Sequence, residues 1–158
     1  MHNAPLDEQS HFRSLFRMFV TPANKVKFYT RNQSLIVDDI VAFDAKAASL
    51  SCVELLVASF ISSYLLAIKK EAKKAHLSLG EMEVRLTCTM KNPLALLGVI
   101  GYEGEAKITA LEGKLYIYSE EDEEKVRTLC QQALPKSLIY SLLAPQIHIH
   151  LEPEIFRL

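Results

Sequence analysis

The feature that most constrains this chain is an apolar run at residues 53–68, broken only by Glu54, Ser59, Ser62, Ser63 and Tyr64. A helix that is apolar on every side offers no face to water and has to be covered all round. A membrane span needs about 20 predominantly apolar residues. This run is shorter and carries several polar groups, so it reads as the buried central helix of a globular protein, with no membrane partner. Ser51-Cys52-Val53-Glu54 fits a capping box at its start. Lys69, Lys70, Lys73 and Lys74 lie at its far end, where cations suit the helix dipole, and Gly80 is the expected stop.

The surrounding segments read as short strands and two further helices. Residues 11–20, 25–29 and 35–37 give strand signals separated by Pro22, Asn24 and the Arg31-Asn32-Gln33 turn. Met82, Val84, Leu86, Cys88 and Met90 alternate with polar residues, the pattern of a strand with one face on the core. Residues 94–111 continue as strand, Glu112-Gly113 reads as a turn, and Leu115 and Ile117 alternate with Tyr116 and Tyr118. Ser119 and the acidic residues 120–124 should open a second helix with a stripe of Val126, Leu129, Cys130, Ala133 and Leu134, broken by Pro135. Residues 137–144 suggest a third helix, and Ile147, Ile149 and Leu151 a last strand, with His148 and His150 on its other side. The order β-β-β-α-β-β-α-α-β predicts an α+β fold, a long central helix packed on an antiparallel sheet.

Composition bounds the function. At 158 residues the chain is one domain or one intertwined subunit, with residues 1–10 a polar, mobile terminus and residues 11–158 the domain. A net charge of -1 argues against a nucleic-acid partner, since the phosphate backbone calls for a basic surface. Residues 1–20 carry Asp7, Glu8, Arg13 and Arg17 and no uninterrupted apolar stretch of the secretory type. Three scattered cysteines read as reduced thiols of a cytoplasmic protein rather than a disulfide framework. No cofactor is expected. His148 and His150 share a strand face but lack an evident third ligand, so no metal site is expected either.

The segment Val53-Glu54-Leu55-Leu56-Val57-Ala58-Ser59-Phe60-Ile61-Ser62-Ser63 resembles the Glu-Leu-Leu-x-Ala-Ser/Ala-x-x-x-Cys central helix of the OsmC/Ohr family, the osmotically induced and organic-hydroperoxide-resistance proteins. Residues 123–137 resemble the family's helix leading to its second cysteine, and Leu35-Ile36-Val37-Asp38-Asp39 the strand and acid before the central helix. The resemblance covers about residues 24–152. It implies an intertwined homodimer with two pockets at the interface. In active, peroxiredoxin-like members a first cysteine is oxidised by peroxide to a sulfenic acid. A second cysteine resolves it as a disulfide, while an arginine and a glutamate activate the first thiolate.

Carried across, the first cysteine falls on Ser63 and the second on Ser137, where the family's following proline is Leu138. A serine hydroxyl has no redox ladder comparable to that of a thiolate. Glu54 matches the family acid, although a capping-box role accounts for it equally, and Arg31 stands nearest by position to the family arginine, with Arg17 behind it. The two serines are either a polar pair lining a pocket, with Phe60, Tyr64, Leu138 and Ile139 as apolar neighbours, or small core residues, with Ser63 bonded to a carbonyl one turn back. Cys52 lies at the helix start, about 16 Å along the helix from Ser63. Cys88 and Cys130 read as buried hydrophobes. The expectation is an OsmC-like homodimer of the peroxide and osmotic stress family that has lost thiol-peroxidase chemistry and binds a small, partly apolar ligand at its interface. Two alternatives stand beside it: a hydroperoxide reductase using the displaced Cys52, and a structural or interaction protein with no pocket ligand.

Overall fold

The computed structural model describes residues 14–38, 40–41 and 48–157. The expected mobile terminus at residues 1–10 lies outside these. The chain groups into two compact units, Met1–Glu54 and Leu55–Leu158, where the sequence suggests one domain from residue 11 onward.

The first unit is a meander of three antiparallel strands, β1 (Arg17–Val20), β2 (Val26–Tyr29) and β3 (Ser34–Val37). Of the strand expected at residues 11–20, residues 11–13 lie outside the described residues, and β1 begins only at Arg17. Its partner β2 ends at Tyr29, opposite Arg17, so nothing further along pairs with residues 14–16. The first turn places Asn24 in the left-handed region (φ 58°), which a short polar side chain tolerates. The second turn, residues 30–33, is closed by Thr30 N donating to Gln33 O at 2.9 Å and Gln33 N to Thr30 Oγ1 at 3.1 Å. Phe16 stacks on Phe28 and Phe19 on Tyr29. The Lys25–Asp38 ion pair at 3.0 Å joins the ends of β2 and β3.

The central helix, α1, runs Cys52–Lys74. Its start is the expected capping box: Ser51 N donates to Glu54 Oε2 at 2.7 Å, and Glu54 N donates back to Ser51 Oγ at 3.2 Å. Its end differs from expectation. The helix stops at Lys74, not at Gly80, because His76 takes a left-handed conformation (φ 55°). His76 N and Leu77 N then donate to the carbonyls of Lys73 and Ala72. This closure normally uses glycine, which is why the sequence pointed to Gly80.

Along α1 only Phe60, Tyr64, Ile68 and Ala72 are buried, one stripe at four-residue spacing. Within one chain the helix is therefore not covered all round, and Leu66 on another face is 66% exposed. Among the described residues α1 is long and apolar enough to cross a membrane by length and composition. Its stripe instead packs against Leu111, Leu115, Ile117, Val126, Leu129 and Cys130, forming the core of the second unit.

That core rests on a second three-stranded sheet of β4 (Met82–Lys91), β5 (Lys107–Tyr118) and β6 (His148–Phe156). β4 alternates half-buried and exposed residues along its whole length, as its sequence requires. β4 and β5 are antiparallel, but β5 and β6 are parallel, so this sheet is mixed. The parallel pairing needs a long crossover, supplied by α2 (Glu123–Ala133), a 3-10 turn at Leu134–Lys136 and α3 (Leu138–Leu143).

Glu112-Gly113 is not a turn but mid-strand in β5. A register shift beside Thr89 and Met90 leaves Thr109 without a register partner and moves the inward positions of β5 from Ile108 to Leu111, Leu115 and Ile117. A bulge produces the phase change that imitates a turn in the sequence. Gly113 is glycine for another reason: a Cβ there would lie 2.1 Å from the Arg85 carbonyl oxygen. The N-cap of α2 is also displaced, from Ser119 to Asp122, whose side chain accepts from Lys125 N. Ser119 is buried, and its hydroxyl donates to the Ser78 carbonyl.

Candidate functional site

Ser63 and Ser137, 74 positions apart, meet. Ser137 Oγ donates to Ser63 Oγ at 2.9 Å. Local structure fixes both. Ser63 is half-buried on α1, in the turn between buried Phe60 and Tyr64. Ser137 is the N-cap of α3, buried, with its hydroxyl accepting from Tyr140 N at 3.3 Å. Pro135 sits in the 3-10 turn between α2 and α3, where the chain turns toward α1. Ser63 thus finds its partner in Ser137, and its bond does not depend on a carbonyl of its own helix.

The neighbours expected to line a pocket divide in two. Phe60 is fully buried and stacks on Tyr140 at 6.4 Å. Tyr64 is 2% exposed, and its hydroxyl donates to the Cys130 carbonyl at 3.2 Å. Burial pushes the Tyr64 phenol well above its usual pKa, so it stays a neutral donor. Both are core residues of the second unit. By contrast Leu138, beside Ser137, is 78% exposed, Leu142 one turn further on is 68% exposed, and Leu66 lies one turn along α1 from Ser63. The serine pair therefore sits beside exposed apolar side chains.

A contact that the sequence reading missed holds the pair in place. Glu71, two turns along α1 from Ser63, accepts from Lys74 at 2.8 Å and from Lys136. Lys136 immediately precedes Ser137, so this ion pair fastens the 3-10 turn to α1. The signal available in the sequence was a single glutamate among Lys69, Lys70, Lys73 and Lys74. Hydrogen bonds from Lys136 and then Lys74 hold the Glu71 carboxyl at about 2, well below the usual carboxylate range. A lowered folded-state pKa contributes stability above the unfolded value, and that stability is lost as pH falls toward 2. Glu71→Gln should therefore flatten the fall in stability between about pH 4.5 and pH 2, read as urea midpoints across that range. An unchanged slope would show that the clamp contributes nothing in solution.

The remaining candidates have other roles or other places. Ser51 donates both its N–H and its hydroxyl to the Glu54 carboxylate, which lowers the Glu54 pKa and commits this carboxylate to capping. Arg31 lies in the turn after β2 and Arg17 at the start of β1, both in the first unit. Cys52 is exposed on the first turn of α1. Cys130 is buried, and burial pushes its thiol up to about 11; burial also raises Cys88. His148 and His150 stack at 6.5 Å on the exposed side of β6, with His148 Nε2 3.6 Å from Glu112. No group of three or more His, Cys, Asp or Glu among the described residues could hold a metal ion.

Chemically, the Ser63–Ser137 pair is two hydroxyls bonded to each other: Ser137 gives its hydrogen to Ser63, whereas a serine nucleophile gives its hydrogen to an adjacent base.

Comparison with known proteins places the chain. The family described as OsmC-like protein matches residues 45–152, more than half of its length. The chain belongs to this OsmC/Ohr family, whose members are associated with peroxide and osmotic stress. Among solved structures it is similar to the OsmC-like protein of Mycoplasma pneumoniae, with a TM-score of 0.73 at 12% identity, covering 91% of this chain and 97% of that one. It is likewise similar to the organic hydroperoxide resistance protein OhrB of Bacillus subtilis, with a TM-score of 0.63 at 13% identity, covering 90% and 98%. An organic hydroperoxide resistance protein from Elizabethkingia anophelis gives a TM-score of 0.70 at 12% identity, covering 94% and 99%. At these identities the likeness concerns the fold. No curated protein sequence matches.

Proposed function

We propose that this protein is a homodimeric OsmC-like protein that has lost thiol-peroxidase chemistry and uses the Ser63–Ser137 pair to bind a small, partly apolar molecule at the subunit interface. The observation that carries the reading is the 2.9 Å hydrogen bond between these serines. The family resemblance puts the two redox cysteines at these positions. Their side chains meet as such a pair would have to, yet neither carries sulfur. Peroxide reduction requires a thiolate that can be oxidised and then resolved, and a pair of hydroxyls cannot follow that route.

Support for the dimer is the apolar surface that a single chain leaves open. α1 buries one stripe, while Leu66, Leu138 and Leu142 stay exposed in the second unit and Met18 and Val20 in the first. A second copy would cover them, with more than about 2,000 Å² buried in total, as obligate homodimers usually do. The ligand would rest its apolar part on Leu138 and Leu66 and receive a hydrogen bond from Ser63. Such a site, mostly apolar with few polar groups, is what small-molecule recognition uses.

Two measurements test this reading. Light scattering at micromolar concentration should give a dimer. Leu66→Asp, at a position already exposed in the single chain, should give a folded monomer. Peroxide consumption with a dithiol reductant should be absent in the wild type. Activity in the wild type that disappears in Cys52→Ser would favour the displaced-thiol alternative and overturn this one.

A further inference from the structure

The first unit contains a cavity of about 980 Å³ at the end where β1 begins and β2 turns into β3. Its walls include Phe16, Arg17, Tyr29, Arg31 and Gln33, and, among the described residues, no acidic one. Among the described residues neither Arg17 nor Arg31 forms an ion pair with a carboxylate, although Lys25, Arg85, Lys114 and Arg127 all do. Two guanidiniums at one cavity without a counter-charge are an unusual arrangement on a chain whose net charge is -1.

We propose that this cavity binds a phosphate monoester carried by a planar, apolar group. The charge argues for a dianion, since two cations meet no anion there. A guanidinium presents its donors as a rigid fork that matches two phosphate oxygens. Arg17 is preorganised for this. Its guanidinium carbon lies 5.9 Å from the ring centroids of both Phe19 and Tyr29, which are themselves stacked. Arg31 is held in a turn closed by hydrogen bonds between Thr30 and Gln33 on both backbone and side chain. Tyr29, on the same face of the sheet as Arg17, supplies aromatic surface for the organic part, and the volume lies within the range of small-molecule sites. The site draws on residues of the first unit and shares none with the serine pair, so it stands whether or not the serines bind a ligand.

The test is calorimetric titration of the full chain with phenyl phosphate, inorganic phosphate and benzoate. Phenyl phosphate should bind saturably at sub-millimolar concentration, with inorganic phosphate and benzoate each at least tenfold weaker. Arg17→Gln and Arg31→Gln should each raise the dissociation constant of phenyl phosphate about tenfold or more, with an unchanged circular dichroism spectrum. Both residues are exposed in the single chain, so these variants should fold. Arg85→Gln, at a guanidinium already paired with Glu83, should leave binding unchanged. No saturable binding, or binding indifferent to both arginine variants, would overturn the proposal. Benzoate equal to phenyl phosphate would overturn the preference for a dianion.

Discussion

Ser63→Cys combined with Ser137→Cys is expected to close a disulfide under mild oxidation and to raise the unfolding free energy of the second unit. The two hydroxyl oxygens are already at hydrogen-bonding distance, 2.9 Å, and the longer C–S bonds of cysteine bring the sulfurs nearer still. A link between positions 74 apart removes loop entropy worth about 4.5 kcal/mol from the unfolded chain on the chain-entropy account. Against this stands the loss of the Ser137 cap on α3, about 1 kcal/mol. The net gain should be about 3 kcal/mol, read as a shift of the urea midpoint between the oxidised variant and the wild type. The number of thiols that titrate after oxidation should match that of the wild type. Two additional free thiols would mean that the side chains do not meet in solution, which would also remove the basis for a binding pair. Peroxide turnover is a separate outcome, because an activating arginine and glutamate are also needed, and Glu54 is committed to its cap.

The largest destabilisation is expected from Phe60→Ala. Phe60 is completely buried where α1 faces Tyr140, and its removal leaves a cavity beneath the serine pair. Large-to-small changes of this kind cost about 3–5 kcal/mol, a large share of the 5–15 kcal/mol typical of a whole domain. Chemical denaturation should register the loss as a lower urea midpoint. A cost below about 1 kcal/mol would mean that α1 does not pack as described. Phe60→Leu, which restores most of the volume, should recover a large part of the loss.

The contrast between Phe60 and Leu66 marks how far the sequence could be read. Both lie in the same apolar run, and nothing local distinguishes them. Periodicity shows that the helix is apolar, but which stripe a single chain covers depends on where β5, β6 and α2 arrive. The start of α1 was legible because a capping box is written in four adjacent residues, Ser51 to Glu54. Its end was not. A left-handed His76 is a conformation imposed by the Leu77 and His76 closures, and its residue type gives little warning. β5 was misread at Glu112-Gly113 for a related reason: a bulge changes the face of a strand, and the sequence signature of that change is the same as that of a turn.

The order of elements, the amphipathic β4 and the buried stripe of α2 all followed from the sequence. These are local patterns of spacing and residue type, and each is complete within one element. The meeting of Ser63 with Ser137, the Glu71–Lys136 clamp and the Tyr64–Cys130 hydrogen bond were decided only by the tertiary structure. Each joins residues more than 60 positions apart. No periodicity encodes such a distance; the crossover through α2 and α3, which makes β6 parallel to β5, is what brings the partners onto α1.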